Sequence, residues 1–292
     1  MGINNVQGDA ITSVVDVLGN SIPNAYNYNG DLIYSGTSGV PDYDSYTSEL
    51  LLDKSSSIYY QDIAIFQNRV FQFGANGAFT SFNARTGTSM GGGNGTMGHA
   101  GSAQFNKSWF PENADFPVVY LTDNEHPIMI YATSLSNIST VLKTYSIPDG
   151  YGNAGVACFD FSNNIMYCIL HEQTETPYVH EIISKWDLSN TTVSDGIEYP
   201  TYISSITINS IGVLQGAKYR NGKLFIGIND SQNGSKPTIV VIDALTGIVE
   251  HRIVVSNVTT EMEGMDFIND FEVVVALQHE TYYHITFNAQ SN

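Results

Sequence analysis

The chain has 292 residues, with 11 Lys and Arg against 29 Asp and Glu and a formal net charge of −18. Because 42% of the residues are hydrophobic, 12% are aromatic and only 14% are charged, the composition excludes intrinsic disorder and a helical bundle. We therefore expect an all-β fold. The negative charge and the lack of a Lys/Arg cluster also argue against nucleic acid and against an anionic membrane surface as partners.

The N-terminal sequence, MGINNVQGD, has neither the basic region nor the apolar region of a secretory signal. No stretch of the sequence approaches the roughly 18 apolar residues of a membrane span. We expect no signal peptide and no membrane segment, and a location either in the cytoplasm or in a virion assembled there.

The first 54 residues differ in sequence pattern from the rest of the chain. Residues 24–34 predict a hairpin that turns at Asn29-Gly30, a dipeptide that accepts the positive φ angles of a type I′ turn. Residues 35–41 are rich in Ser and Gly, as in a flexible linker. We therefore divide the chain into an N-terminal attachment or oligomerisation element with its linker, residues 1–54, and a main domain, residues 55–292.

The main domain repeats one pattern of a polar residue, a strand, a turn and a second alternating strand. Five copies begin at Gln61, His99, Asn153, Gln215 and Glu263. Copies of about 47 residues match the ~40 to 50 residues of a four-stranded propeller blade. The sequence thus predicts a β-propeller with five blades of four antiparallel strands. The last copy supplies three strands, so the fourth is expected from residues 55–60 or from the stretch before them.

Polar residues stand just before the first strand of every copy, where they would ring one mouth of the central channel. The candidate ligand-binding residues are Gln61, Asp62, His99, Asn153, Gln215 and Glu263. Plain solvation of the channel is the alternative explanation for such a ring. If the protein is an enzyme, Glu263 and His99 are the candidate acid and base. No cofactor is expected, although Glu263 with Asp62, Gln61 or Asn153 could hold a divalent cation, since hard cations favour oxygen ligands.

Aromatic residues outside the strands form a second group of candidates. Trp109 lies in the long connection of the second copy and could stack on a sugar ring or contact a protein. Packing between blades explains such residues equally well.

Cys158 and Cys168 are the two cysteines of the chain. They flank a predicted hairpin that turns near Asn163, so they could face each other across its strands. Two buried free thiols are favoured over a disulfide, because the chain has no secretory signal.

Two segments resemble known proteins. The phrases at His99–Phe105, Asp115–Leu121, Gln215-Gly216 and Glu263-Gly264 are similar to those of an uncharacterised propeller family of gut bacteria and their prophages. That family has a Gly-His-x-Asn phrase, and this chain has Gly101 in place of the Asn. Residues 24–33 resemble segments that precede the functional domains of phage tail and receptor-binding proteins.

The resemblance and the repeat favour a non-enzymatic recognition module, a phage or prophage tail-associated protein that binds a bacterial surface glycan or receptor. Its N-terminal segment would contact other virion or tail proteins. Two alternatives stay open because one fold can carry many functions. One is a hydrolase or lyase that acts on a small lactone or glycoside at the channel mouth, and the other is a purely structural virion protein.

Overall fold

The structure, a computed structural model, describes most of the chain. The described residues are 24–26, 32–35, 40–54, 60–74, 78–94, 100–106, 108, 110, 114–123, 129–135, 140–148, 153–171, 179–230, 234–257 and 259–290. They are almost entirely β-strands, which confirms the predicted all-β fold. None of the helical structure within these ranges has the length and apolar character needed to cross a membrane.

The described strands, apart from a short hairpin, form five four-stranded antiparallel units. Unit 1 contains β4 (Asp62–Phe66), β5 (Arg69–Phe73), β6 (Phe79–Asn83) and β7 (Ser89–Gly93). Unit 2 contains β8 (Ala100–Phe105), β9 (Val119–Asp123), β10 (Met129–Ser134) and β11 (Thr140–Ser146). Unit 3 contains β12 (Asn153–Asp160), β13 (Ile165–His171), β14 (His180–Ser194) and β15 (Ile197–Asn209). Unit 4 contains β16 (Val213–Arg220), β17 (Lys223–Asp230), β18 (Lys236–Asp243) and β19 (Val249–Val254).

Unit 5 takes its strands from both ends of the chain. It contains β20 (Met262–Asn269), β21 (Glu272–Leu277) and β22 (Thr281–Ala289), with a short 3₁₀ turn at Gln278–Glu280. Its fourth strand is β3 (Pro41–Asp53), which pairs antiparallel with β22. The missing strand therefore comes from the N-terminal side, from the stretch before residues 55–60. The residues of β3 belong to the sheet of unit 5, although the sequence analysis assigns them to the N-terminal element 1–54.

The predicted N-terminal hairpin is present. It consists of β1 (Asn24–Tyr26) and β2 (Leu32–Ser35), which pair antiparallel with Asn24 opposite Ser35. The predicted turn at Asn29-Gly30 lies outside the described residues.

Units 2 and 3 are also joined at their outer strands. β11 and β15 pair in parallel, with Thr144 opposite Ile197 and Tyr145 opposite Glu198. The two units thereby form one eight-stranded sheet.

The hydrophobic core lies between neighbouring units, and β13 shows why. Because successive side chains of a strand point to opposite faces, Met166, Cys168 and Leu170 pack towards unit 2. Tyr167 and Ile169 pack towards unit 4. Each unit therefore buries both of its faces. For this reason the sequences of strands such as β13 are nearly continuous apolar runs.

Five such clusters follow the units in cyclic order. They lie between units 1 and 2, 2 and 3, 3 and 4, 4 and 5, and 5 and 1. The first strands of neighbouring units contact one another, and β20 of unit 5 contacts β4 of unit 1. The polar ends of these first strands are thereby brought together around one axis.

Both cysteines are buried free thiols, as the sequence favoured. The expectation that they could face each other across the hairpin is wrong. Cys158 is opposite Tyr167, and Cys168 is opposite Ala157, so the two residues are out of register. Cys158 packs in the cluster between units 3 and 4, whereas Cys168 packs between units 2 and 3.

Candidate active site

Four of the five first strands carry an irregularity near their start. In each strand one residue is left out of the ladder between two paired neighbours, as in a β-bulge. The residues left out are Gly101 in β8, Ala154 in β12, Gln215 in β16 and Glu263 in β20. Bulges re-aim side chains and are frequent beside active sites. We call this end of the first strands the channel mouth.

The bulges revise the ring of equivalent residues that the sequence predicts. Gln215 and Glu263 occupy the bulge of their strands, so their equivalence is confirmed. In unit 3 the bulge is at Ala154, one residue after Asn153, and in unit 2 it is at Gly101, two residues after His99. His99 and Asn153 are therefore not at positions equivalent to Gln215 and Glu263. The sequence does not show where a strand is bulged, so its alignment missed this difference.

Of the remaining candidate residues, the structure describes Gln61 and Asp62 but not the side chains of the others. Gln61 immediately precedes β4, and its backbone N–H donates to the carbonyl oxygen of Phe73 at 2.8 Å. His99 and Trp109 lie outside the described residues, as does the side chain of Asn153. The proposed pair of Glu263 and His99 is therefore untested, and it stays a prediction.

Glu263 is a buried carboxyl group at the channel mouth, with 6% of its surface exposed. Burial raises its pKa from 4.5 to about 8, and the negative charges of Glu261 and Asp62 add to this effect. A hydrogen bond with the side chain of Gln278 acts in the opposite direction. Glu263 is therefore largely protonated at neutral pH.

Two amide side chains hold Glu261 beside Glu263. The Gln215 Nε2 atom donates to Glu261 Oε1 at 2.7 Å, and Gln278 Nε2 donates to Glu261 Oε2. The backbone N–H of Gln278 also donates to the carbonyl oxygen of Glu261 at 2.9 Å. Glu261 is thus fixed as an acceptor, and its charge disfavours ionisation of Glu263.

Below the mouth, Asp62 and Lys218 form a buried ion pair. The Lys218 Nζ atom lies 2.8 Å from Asp62 Oδ2 and donates to the carbonyl oxygen of Ala103 at 2.6 Å. The backbone N–H of Ala103 donates to the same Asp62 oxygen at 2.6 Å. Both charged residues are essentially inaccessible, with 0% of Asp62 and 1% of Lys218 exposed. This pair ties together units 1, 2 and 4.

Burial raises the pKa of Asp62 to about 6, although the Lys218 charge and hydrogen bonds to Lys218, Ile63 and Ala103 act to lower it. The second carboxylate oxygen, Oδ1, has no hydrogen-bond partner among the residues that the structure describes. Asp62 is therefore mostly ionised at neutral pH but easily protonated in mild acid.

Asp266 adds a second carboxylate to this cluster. Its Oδ2 atom accepts the backbone N–H of Ile65 at 2.7 Å, and its Oδ1 atom accepts the N–H of Phe267 at 2.8 Å. Burial raises its pKa, and the charge of Lys218 lowers it. The cluster of Asp62, Asp266 and Lys218 carries one more acidic group than basic groups.

Glycines after the bulges allow this close approach. A Cβ atom on Gly264 would lie 1.8 Å from Asp62 Oδ1 and 2.8 Å from the Asp62 Cα atom. A Cβ atom on Gly216 would lie 3.3 Å from the same oxygen. Gly264 is thus required where the backbones of units 1 and 5 meet, next to Glu263.

Sequence reasoning found Asp62, Gln215 and Glu263 but missed Glu261, Gln278, Lys218 and Asp266. The available signal was a charged residue within the first strand of a copy, two positions after Gly216 or Gly264. Because strand side chains alternate with period two, such a residue lies on the same face of the strand as Gly216 or Gly264.

The described ranges contain no group of three or more His, Cys, Asp or Glu side chains that could hold a metal ion. A divalent cation at Glu263 stays a prediction. The groups that the structure does bring together are suited to proton transfer, because a neutral carboxyl group with a raised pKa lies beside ionised carboxylates.

No protein-family model and no curated protein matches the chain. Among solved structures, a glutaminyl cyclase from Myxococcus xanthus matches with a TM-score of 0.56 and 10% sequence identity. The alignment covers 84% of this chain and 98% of the cyclase, which is a β-propeller. The fold is β-propeller-like. At this identity the likeness shows the fold alone.

The comparison corrects the leading functional hypothesis. The sequence favoured a non-enzymatic recognition module, whereas a solved protein that shares the fold, the glutaminyl cyclase, is an enzyme. The channel mouth also holds the buried Glu263 carboxyl group, whose pKa is raised to about 8 by burial and by the charges of Glu261 and Asp62. None of the findings supports a phage-tail, receptor-binding or carbohydrate-binding role. The resemblance to a gut-bacterial family stays a prediction.

Proposed function

We propose that this chain is a β-propeller enzyme whose active site is the channel mouth, with Glu263 as the proton donor and acceptor. The observation that carries this proposal is the buried Glu263 carboxyl group, whose pKa is raised to about 8 at the mouth of the channel. An acid with a pKa near neutral pH donates and recovers a proton efficiently.

The proposed chemistry is hydrolysis or elimination on a small lactone or glycoside. The neutral Glu263 carboxyl group donates its proton to the leaving oxygen of the substrate. The resulting Glu263 carboxylate then takes a proton from the attacking water or from the carbon that loses it, which restores the starting state. Each cycle thus returns Glu263 to its protonated form.

The charges at the mouth favour a neutral or cationic substrate. Glu261 at the mouth and Asp62 and Asp266 below it are acidic, and Lys218 is held by Asp62 and by the carbonyl oxygen of Ala103. An anionic substrate would meet a repulsive field there. A peptide with an N-terminal glutamine, which is neutral or cationic, meets the same requirement, and a solved protein of similar fold is a glutaminyl cyclase.

A turnover screen tests the proposal. The purified full chain is assayed with a panel of lactones, aryl glycosides and peptides with an N-terminal glutamine, beside Glu263→Gln and Glu250→Gln. Glu250 is a matched control because it lies on the outer strand β19 and pairs with Lys223. We expect turnover of at least one class, a loss of about 10²- to 10⁴-fold in Glu263→Gln, and no change in Glu250→Gln.

Two results would overturn the proposal. The first is turnover that is the same in Glu263→Gln and in the wild type. The second is no turnover of any class by a folded wild-type protein.

We also propose that the five units are the blades of a closed five-bladed ring. The cyclic order of the five hydrophobic clusters and the contact between β20 and β4 support this arrangement. Pairing of β3 with β22 would then close the ring by joining the two ends of the chain in one blade. An experimental structure with a different number of blades would contradict it.

A further inference from the structure

A cavity lies at the opposite end of the first strands from Glu263. Its volume is about 520 Å³. It is lined where β8, β12 and β16 end, by the turns that follow β12 and β16, and by Asp270 after β20. We call it the far-mouth cavity. It lies apart from the channel mouth, because all first strands run from one end to the other.

Aromatic rings form part of the wall of the far-mouth cavity. Phe159 and Phe161 stack with their ring planes 4° apart and their centroids 5.2 Å apart. Phe105 and Tyr219 are also partly exposed lining residues. Aromatic faces attract cations through the ring quadrupole, and they also cover apolar parts of a ligand.

The charges of the lining residues do not cancel. Arg220 donates from its Nε atom to Asp270 Oδ1, so these two charges neutralise each other. Asp160 is left as the remaining charge. It is buried, with 7% of its surface exposed, and among the described residues no Lys, Arg or His pairs with it.

Asp160 is held in place by neutral donors. Its Oδ1 atom accepts the backbone N–H of Ser162 at 3.2 Å, and its Oδ2 atom accepts the Asn163 amide at 2.7 Å. The Tyr219 hydroxyl is also hydrogen-bonded to it. These donors orient the carboxylate but leave its negative charge uncompensated, although a buried charge is normally paired.

The geometry points to a binding site for a small organic cation in the far-mouth cavity. A primary ammonium group would pair with the Asp160 carboxylate, and an attached ring or alkyl group would pack on Phe161 and Phe105. An inorganic cation fits less well, because it has no apolar part to pack against the aromatic wall. This site is separate from the proposed active site and does not depend on it.

Calorimetric titration of the full chain with benzylamine, which is a cation at neutral pH, tests the site. Benzyl alcohol is the neutral probe of the same shape. We expect benzylamine to bind at least about tenfold more tightly than benzyl alcohol, since one desolvated charge contact is worth about 1.4 kcal/mol or more. Equal binding of the two probes, or no binding of benzylamine, would overturn the inference.

Variants separate the charge from the fold. Asp160→Asn removes the charge and keeps an oxygen for the turn, so we expect it to weaken benzylamine binding about tenfold. Asp187→Asn is the matched control, because Asp187 likewise accepts the N–H of a serine two residues later but is not among the lining residues. Unchanged binding in a folded Asp160→Asn protein would refute the site, and Glu263→Gln should leave binding unchanged.

Phe161→Leu tests the aromatic wall independently. This variant keeps an apolar side chain and removes the ring, so benzylamine should lose more affinity than benzyl alcohol does. If Asp160→Asn does not fold, this comparison still decides the inference, and an equal loss for the two probes would contradict it.

Discussion

Lys218 in unit 4 places its Nζ atom 2.8 Å from the Oδ2 atom of Asp62 in unit 1. The two residues are 156 positions apart in the chain, and both are buried, with 0% of Asp62 and 1% of Lys218 exposed. Their contact lies just below Glu263 and connects first strands that are not adjacent in sequence. The ion pair therefore supports both the ring of units and the floor of the candidate active site.

Loss of the Lys218 charge should destabilise the protein strongly. In Lys218→Met, Asp62 stays fully buried without its ion-pair partner, and Asp266 loses the more strongly acting of the two cations that lower its pKa. Removal of one partner of a buried pair typically costs about 3 to 5 kcal/mol. Denaturant unfolding at neutral pH measures the change in the free energy of unfolding.

Lys223→Met is the control for this experiment. Lys223 also pairs with two carboxylates, Asp243 and Glu250, but 27% of its side chain is exposed. We expect a loss below about 1 kcal/mol, as is usual for exposed pairs. Similar losses in Lys218→Met and Lys223→Met would show that the buried pair has no special role.

Gly264→Ala should be among the most disruptive single substitutions in the chain. The added Cβ atom would lie 1.8 Å from Asp62 Oδ1 and 2.8 Å from the Asp62 Cα atom, and the backbone of β4 cannot easily move away. We expect a loss of about 3 kcal/mol or more, or a protein that does not fold. Thermal unfolding of the purified variant gives the answer.

Gly216→Ala is the matched comparison, because Gly216 occupies in β16 the position that Gly264 occupies in β20. Its Cβ atom would have nearest neighbours at 3.3 and 3.4 Å, so small shifts can accommodate it. A loss of about 1 kcal/mol is expected. If Gly264→Ala were as mild as Gly216→Ala, the close approach of units 1 and 5 would be wrong.

The strands were largely predictable, because their residues carry a local signal. Val273–Leu277 and Ile165–Leu170 are apolar runs, and turn residues such as Asn221-Gly222 follow the first strands. Asn221 and Gly222 indeed adopt positive φ angles of 49° and 81°. A two-residue turn of this kind connects antiparallel strands with the right twist.

The site was only partly predictable, because its contacts are long-range. Glu263 and Gln215 could be found from the repeat, but the bulges that displace Asn153 and His99 from the ring change the register by one or two residues. A charged strand residue such as Lys218 is expected to face solvent. Its burial depends on the convergence of units 1, 2 and 4, which the sequence of unit 4 does not contain.

Removal of β3 should unfold or aggregate the protein. A chain that begins at residue 55 lacks the strand that pairs with β22, so the backbone N–H and C=O groups of β22 are left at an open edge. A chain that begins at residue 40 keeps β3 and should fold without aggregating. Size-exclusion chromatography and circular dichroism compare the two, and a folded monomer of residues 55–292 would contradict the pairing.

Glu263 should make stability fall as the pH rises. Because its pKa is about 8 in the folded protein against 4.5 for the ordinary group, its contribution is fully present below pH 4.5 and is lost between pH 4.5 and 8. Glu263→Gln removes this loss. Relative to the wild type, the variant should therefore gain on the order of 4 to 5 kcal/mol between acid and mildly basic pH.

Denaturant unfolding of both proteins across this pH range checks the effect. Glu250→Gln, which changes an exposed carboxylate, should show no such trend. A difference between wild type and Glu263→Gln that is independent of pH would mean that Glu263 ionises normally.

The protonation of Glu263 is measured most directly by a ¹³C NMR titration of the glutamate side-chain carboxyl groups, with Glu263→Gln used to assign the signal. If Glu263 is the proton donor of the channel mouth, its signal will titrate with a midpoint near pH 8. A midpoint below about pH 5, the ordinary range of a glutamate, would contradict the proposed active site.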